Sequence, residues 1–150
     1  MRITASLYAI MLALTPTLAL AQAAPTRAEL ARIDRILRRT PLIDGHNDLP
    51  EQIHDNYGGD LSRVDLTADT RTLPTPLHTD IPRLRQGRVG AQFWSVYVPA
   101  ELQGAASAEA VRVQIDLVRQ IVAQHPDEFE LARSADDIVR IHRAGRIASM

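Results

Sequence analysis

Cysteine is absent from this 150-residue chain, and so is lysine: all 17 basic residues are arginine. Without cysteine there is no disulfide framework, no thiolate metal site and no thiol nucleophile. The missing lysine reads as a coding bias, not as chemistry. An excess of either charge is missing too. The formal net charge is −1, which gives no support to a nucleic-acid partner. Several catalytic and binding signatures are also absent. The sequence contains no G-x-S-x-G elbow and no H-E-x-x-H. It has no P-loop and no G-x-G-x-x-G. Ser62, Ser95, Ser107, Ser134 and Ser149 have no base beside them in sequence. What remains is ordinary for a globular protein, with 45% hydrophobic and 23% charged residues.

Long apolar runs are confined to the beginning. Arg2 precedes an apolar stretch from Leu7 to Leu20, and Ala19-Leu20-Ala21 follows a small-x-small pattern. This predicts a signal peptide over residues 1–21, cleaved after Ala21, with Ala23 as the second choice. The run is short for an uncleaved membrane anchor, which needs about 20 apolar residues. The expected destination is therefore export, to a periplasm or outside the cell. Residues 22–150 are left for the fold. A closed (β/α)8 barrel needs roughly 200–250 residues, so any barrel here is incomplete.

Along the chain, Thr26 to Arg39 predicts a helix. Thr26 and Glu29 have capping-box spacing, and Leu30, Ile33 and Leu37 share a face widened by Ile36. Leu42 to Asp44 predicts a buried strand that runs into a polar loop at Gly45 to Pro50. Residues 51–79 read as a long loop, and a short helix follows from Asp80 to Gln86. Ala91 to Val98 reads as a strand, with Trp94 and Tyr97 in its packing. A helix from about Ser107 to Gln124 carries the stripe Val111, Ile115, Val118 and Val122. Another opens at Ser134 and closes at Gly145, and Arg146 to Met150 starts a further strand. This alternation predicts an α/β fold with a parallel sheet.

The strongest chemical signal is Asp44-Gly45-His46-Asn47-Asp48. In an extended segment side chains alternate, so His46 and Asp48 share a side at the strand's end, with Asp44 below them. An imidazole and a carboxylate so placed can hold one divalent cation. The competing reading is that His46 and Asp48 hydrogen-bond each other or cap the next turn. The remaining histidines have weaker claims. His54 and His78 fall in loops, His125 sits at a helix end, and His142 is placed facing water.

Three stretches together resemble the membrane (renal-type) dipeptidases, the zinc metallopeptidases of family M19. They are Pro41-Leu42-Ile43-Asp44-Gly45-His46-Asn47-Asp48-Leu49-Pro50, the segment His78 to Gly87, and Val89 to Pro99. Ala144 to Ser149 also fits, in the same order, from about Glu29 onward. The resemblance implies a (β/α)8 TIM-type barrel with a binuclear zinc centre that hydrolyses dipeptides. It assigns His46 and Asp48 as metal ligands at the end of the first strand. It places the bridging Glu, two further His ligands, a substrate-binding His and a late Asp beyond Met150. On that reading the chain is the N-terminal portion of an exported dipeptidase, cut in its third strand and inactive alone. A homodimer is compatible with it, and membrane association is not legible. Glu51 departs from the family, which often has an aromatic residue there, so a more polar loop wall beside the site is expected. The rivals are another metal-dependent amidohydrolase of the same barrel class, or a secreted remnant without catalysis. The amidohydrolases more often open with H-x-H than with His46-x-Asp48.

Overall fold

The computed structural model describes residues 24–150. The signal-peptide reading at residues 1–21 lies outside them. Helix α1 (Arg27–Arg39) starts at the capping box read from the sequence. Glu29 N donates to Thr26 Oγ1 at 3.3 Å, and Thr26 N donates to the Glu29 carboxylate at 2.7 Å. Strand β1 (Leu42–Asn47) is longer than expected and runs to the functional residues themselves.

The predicted loop at 51–79 begins instead as helix α2 (Leu49–Tyr57). Pro50, read from sequence as the end of a polar loop, occupies the first helical turn, where its missing N–H costs nothing. Ile53 and Tyr57 bury one face of α2, and Gly58 ends it in the left-handed region at φ 69°. Only then does irregular chain follow, with single 3₁₀ turns at Leu61–Arg63 and Thr70–Thr72. Helix α3 (Ile81–Gln86) is capped by Asp80, as its sequence suggests. Strand β2 (Val89–Trp94) ends before Tyr97, which is 53% exposed and takes no part in the strand's packing. Helix α4 (Gly104–Gln124) begins three residues earlier than Ser107. Strand β3 (Phe129–Leu131) was not anticipated, because three residues carry no periodicity. Helix α5 (Ala135–Arg143) and strand β4 (Ile147–Ser149) complete the described chain. The last strand is therefore fourth in chain order, not third.

All strand pairs are parallel, in the order β1-β2-β4-β3. The sheet is open, with β1 at one edge, as an incomplete barrel requires. The step from β3 back to β4 reverses direction across the sheet. A right-handed crossover then puts α5 on the face opposite α4. The core agrees with this. Trp94, Phe129 and Ile147 join residues of α2, α3 and α4 in one cluster. Ala91 and Ala148 pack with Ile141 of α5 in another. Ile147 and Ala148 are strand neighbours, so the two clusters lie on opposite faces. Phe129 meets Trp94 edge to face at 5.9 Å. Of the α4 stripe read from sequence, Val118 and Val122 are buried and Val111 and Ile115 only half-buried, and the buried face is completed by Gln114, Leu117 and Ile121.

Two parts are less covered. No residue of α1 is buried, and Leu30, Ile33 and Ile36 are each about half exposed. In β1, Leu42 and Ile43 are exposed to a similar degree, against the buried strand expected. An ion pair from Arg88 to Asp34 at 2.5 Å ties α1 to the turn before β2. Among the described residues no helix is long and apolar enough to cross a membrane.

His142 does not face water, contrary to the sequence reading. It is half-buried, with Nε2 enclosed, and its ring packs beside Gly90. A Cβ on Gly90 would sit 2.8 Å from His142 Nδ1 and 2.8 Å from Pro41. Pro41 is backbone and cannot yield as a flexible side chain can. Gly90→Ala is therefore expected to cost about 1–3 kcal/mol through overpacking. Urea denaturation checks this, and a wild-type midpoint would show that the contact yields freely.

Candidate metal centre

The site lies at the carboxyl end of β1, where parallel α/β folds place their chemistry. His46 Nε2 and Asp48 Oδ1 are 2.8 Å apart. Both side chains are open to solvent, at 68% and 46% exposure. Asp48 is the N-cap residue of α2, yet its carboxylate makes no capping bond. Asn47 performs that duty: Leu49 N donates to Asn47 Oδ1 at 3.1 Å. The Asp48 carboxylate is thereby left to face His46. Of the two readings made from sequence, mutual hydrogen bonding is observed and capping by Asp48 is not.

Asn47 is held from the other side as well. Its Nδ2 donates to Thr79 Oγ1 at 3.0 Å and to Gln92 Oε1 at 3.2 Å. Gln92 is fully buried and spends its own amide N–H on Phe93 O. Asp44, one turn of the pleat below, accepts from His46 N at 3.3 Å. A cavity of about 300 Å³ opens here, with Asp44, His46, Asp48, Gln52 and His78 among its walls.

His78 lies in a loop and is exposed, in line with the sequence reading. It was placed in a loop with no partner in view, and the structure puts it on the wall of the same cavity. No local pattern could have found it, because its position depends on Thr79 meeting Asn47, 32 residues away. His54 pairs with Asp55 at 3.0 Å, on α2 and not in a loop. His125 caps the end of α4 and packs against Phe129. Glu51 is not in the cavity wall, and the wall it was expected to colour is the helix α2. Burial, with the Asp48 and Asp55 carboxylates nearby, holds Glu51 above the ordinary carboxylate range.

Do these residues fit a metal? A neutral imidazole nitrogen and a carboxylate oxygen that converge on one point are suitable donors for zinc. They are two of the three or more a catalytic site needs. Among the described residues no group of three or more His, Cys, Asp or Glu gathers to hold an ion. His46 and Asp48 therefore fit as part of a donor set.

A parallel α/β sheet here carries an imidazole and a carboxylate at one strand's carboxyl end, a donor pair of the kind that can contribute to a divalent-cation site. The chain belongs to the membrane dipeptidase family, peptidase family M19, whose family model matches residues 30–150. Members of that family are metallopeptidases. Dipeptidase ataJ of Aspergillus terreus is 47% identical over 129 residues, covering 81% of this chain and 30% of that protein. Dipeptidase 3 of Mus musculus is 41% identical over 103 residues, covering 69% of this chain and 20% of its own length. Among solved structures, the probable dipeptidase PvdM from Pseudomonas aeruginosa shares the fold, with a TM-score of 0.60 at 14% identity. The match covers 83% of this chain and 30% of PvdM. The chain thus spans less than a third of these relatives' lengths.

The loop that carries His78 is anchored by Asp80, whose side chain is wholly buried. Burial pushes the Asp80 carboxyl up. Hydrogen bonds from Arg83 N, the Arg83 guanidinium and Thr70 N outweigh it and hold the group below its ordinary value. Its stabilising effect is complete above the unfolded carboxylate range and fades as pH falls through the lowered folded value. Asp80→Asn is expected to lose about 1–3 kcal/mol at about pH 7. Between about pH 7 and pH 3 its urea midpoint should move less than that of wild type. Parallel pH dependence in the two proteins would refute the assignment.

Proposed function

We propose that this chain carries the first part of the metal centre of an exported zinc dipeptidase. The observation that supports the reading most is the convergence of His46 Nε2 and Asp48 Oδ1 at the end of β1, in a chain of the dipeptidase family. His46 and Asp48 would hold one cation of a binuclear pair. Bound zinc supplies an activated water near neutral pH and polarises the scissile carbonyl. The protein's own part is positional. Asn47 fixes the segment between the two ligands, and α2 keeps the Asp48 carboxylate turned towards His46. The cavity of about 300 Å³ beside them suits a short peptide better than a folded substrate.

The same reading makes residues 1–150 inactive by themselves. Two donors leave even one catalytic zinc short of a ligand, and an open sheet does not close a pocket around a substrate. Export rests on the apolar stretch and the Ala19-Leu20-Ala21 pattern near the start of the chain.

Zinc titration by calorimetry tests the metal role. Wild type is expected to bind one zinc weakly. His46→Ala and Asp48→Ala should each weaken binding by at least about tenfold, since disturbing even an outer partner of a metal site costs that much. Equal binding by all three proteins would remove His46 and Asp48 from the metal reading.

A further inference from the structure

The amino end of the sheet, opposite the His46–Asp48 pair, gathers positive charge. Arg38 of α1, Arg85 of α3, Arg88 before β2 and Arg146 before β4 line one cavity of about 210 Å³, with the His142 imidazole on the same wall. No carboxylate lines it. Hydrogen bonds fix how close the arginines stand. Asp34 takes Arg38 Nε on one oxygen at 2.8 Å and Arg88 Nη2 on the other at 2.5 Å, so those two guanidinium groups are neighbours. Arg85 Nη1 donates to Gly145 O, the carbonyl that precedes Arg146, at 2.6 Å. Arg88 N donates to Arg85 O at 3.1 Å and joins the two pairs.

The surrounding carboxylates leave positive charge on this wall. Asp34 is divided between Arg38 and Arg88. Glu130 is divided between Arg146 and Arg140, which also reaches Asp137, and Glu128 serves Arg85. Among the described residues Arg38 commits only Nε and Arg88 only Nη2, so both keep N–H groups without a protein partner.

Arg88 holds its place at a backbone cost. Its φ is 56°, and among the described residues it is the one non-glycine residue in the left-handed region. It follows Gly87, the C-cap of α3. After Ala144, the C-cap of α5, the same place is taken by Gly145 at φ 79°. Glycine enters that region freely, and it is the usual residue just past a helix end. The turn before β4 uses it, while the turn before β2 carries a strained arginine whose guanidinium lies on the cavity wall. A guanidinium is a rigid fork of donors that matches phosphoryl oxygens two at a time. Forks that converge from α1 and from two turns approach from several directions, which suits a tetrahedral anion.

We propose that this cavity binds a phosphoryl group, as free phosphate or as a phosphate monoester. The bound anion bridges Arg38 and Arg88, and so holds α1, which has no buried residue, against the sheet. The site lies at the other end of the strands from the metal centre and does not depend on the dipeptidase reading.

Calorimetric titration of the whole chain with inorganic phosphate, near neutral pH and at constant ionic strength, tests this. One saturable site is expected, and saturating phosphate should raise the urea midpoint, since a ligand of the folded state stabilises it. Glycerol 3-phosphate is the second probe. Affinity like that of phosphate assigns the site to an attached phosphoryl group as well, and much weaker binding assigns it to the free anion. Acetate, a planar anion, should bind at least about tenfold more weakly than phosphate. Arg38→Gln and Arg88→Gly should each weaken phosphate binding by about 10–100-fold, the worth of a hydrogen bond to a charged group. Arg38 is exposed and glycine suits the backbone at position 88, so neither change disturbs the core. Arg35→Gln, on α1 but not on the cavity wall, should bind as wild type does. Absence of saturable binding by wild type would overturn the proposal, as would acetate binding as tightly as phosphate. So would equal weakening by all three substitutions, which marks general charge attraction, or wild-type affinity in both Arg38→Gln and Arg88→Gly.

Discussion

The side-chain amide of Asn47 is the joint on which the carboxyl end of the sheet depends. Its oxygen accepts from Leu49 N and Thr79 Oγ1, and its nitrogen donates to Thr79 and Gln92. Asn47 is thereby fixed between His46 and Asp48, and all three line the cavity. The same amide starts α2, which releases the Asp48 carboxylate from the capping role its position invites. It also ties the 77–80 segment to β1. One half-buried side chain thus links the His46–Asp48 pair, the start of the next helix and the segment that carries His78. Such a hub holds because every member is satisfied. An orphaned buried amide or hydroxyl costs about 1–3 kcal/mol.

A second polar cluster supports the first from behind. Asp80 Oδ2 accepts from Arg83 Nε at 2.7 Å and from Thr70 N at 3.1 Å, and Arg83 Nη2 donates to Thr70 Oγ1 at 2.9 Å. This ties the irregular segment from Thr70 to Asp80 into a closed ring of bonds. Leu66 and Leu77 sit beneath it in the main core. A connection of this length with so little regular structure would be mobile without such bonds. Here the polar ring replaces a ladder and gives the cavity wall the stiffness of a sheet.

How much of this was legible in the sequence follows from the range of each interaction. The α1 capping box acts over three residues and is legible in the sequence, as is the short helix that Asp80 caps over Ile81–Gln86. The pair His46 and Asp48 acts over two residues and was found by alternation alone. Helix α2 differs from the long loop read at 51–79 because its nine residues show little periodicity in sequence. Strand β3 is too short to carry a period, and its existence depends on β4, to which it pairs through Phe129 and Ile147. His142 was turned to solvent because its neighbour Gly90 lies 52 positions away. The place of His78 on the cavity wall is hidden for the same reason, since Thr79 meets Asn47 32 residues away. Local signals reach about one helical turn, and the cavity is assembled from residues more than thirty apart.

The exposure pattern of the chain is consistent with the chemistry of its site. The His46–Asp48 pair is more than 40% exposed in both partners. An ion held there would keep most of its water, and its effective charge would be screened. A hydrolytic metal needs the opposite: a dry, shaped cavity and a third donor. β1 is an open edge of the sheet, with Leu42 and Ile43 at its amino end half exposed, and the apolar residues of α1 are half exposed as well. An unpaired edge with apolar side chains is a surface that favours further strand pairing. Any element that paired with β1 in parallel would also wall the cavity beside His46. If His46 and Asp48 hold a cation as proposed, covering that edge near their end of β1 would also lower their exposure to water.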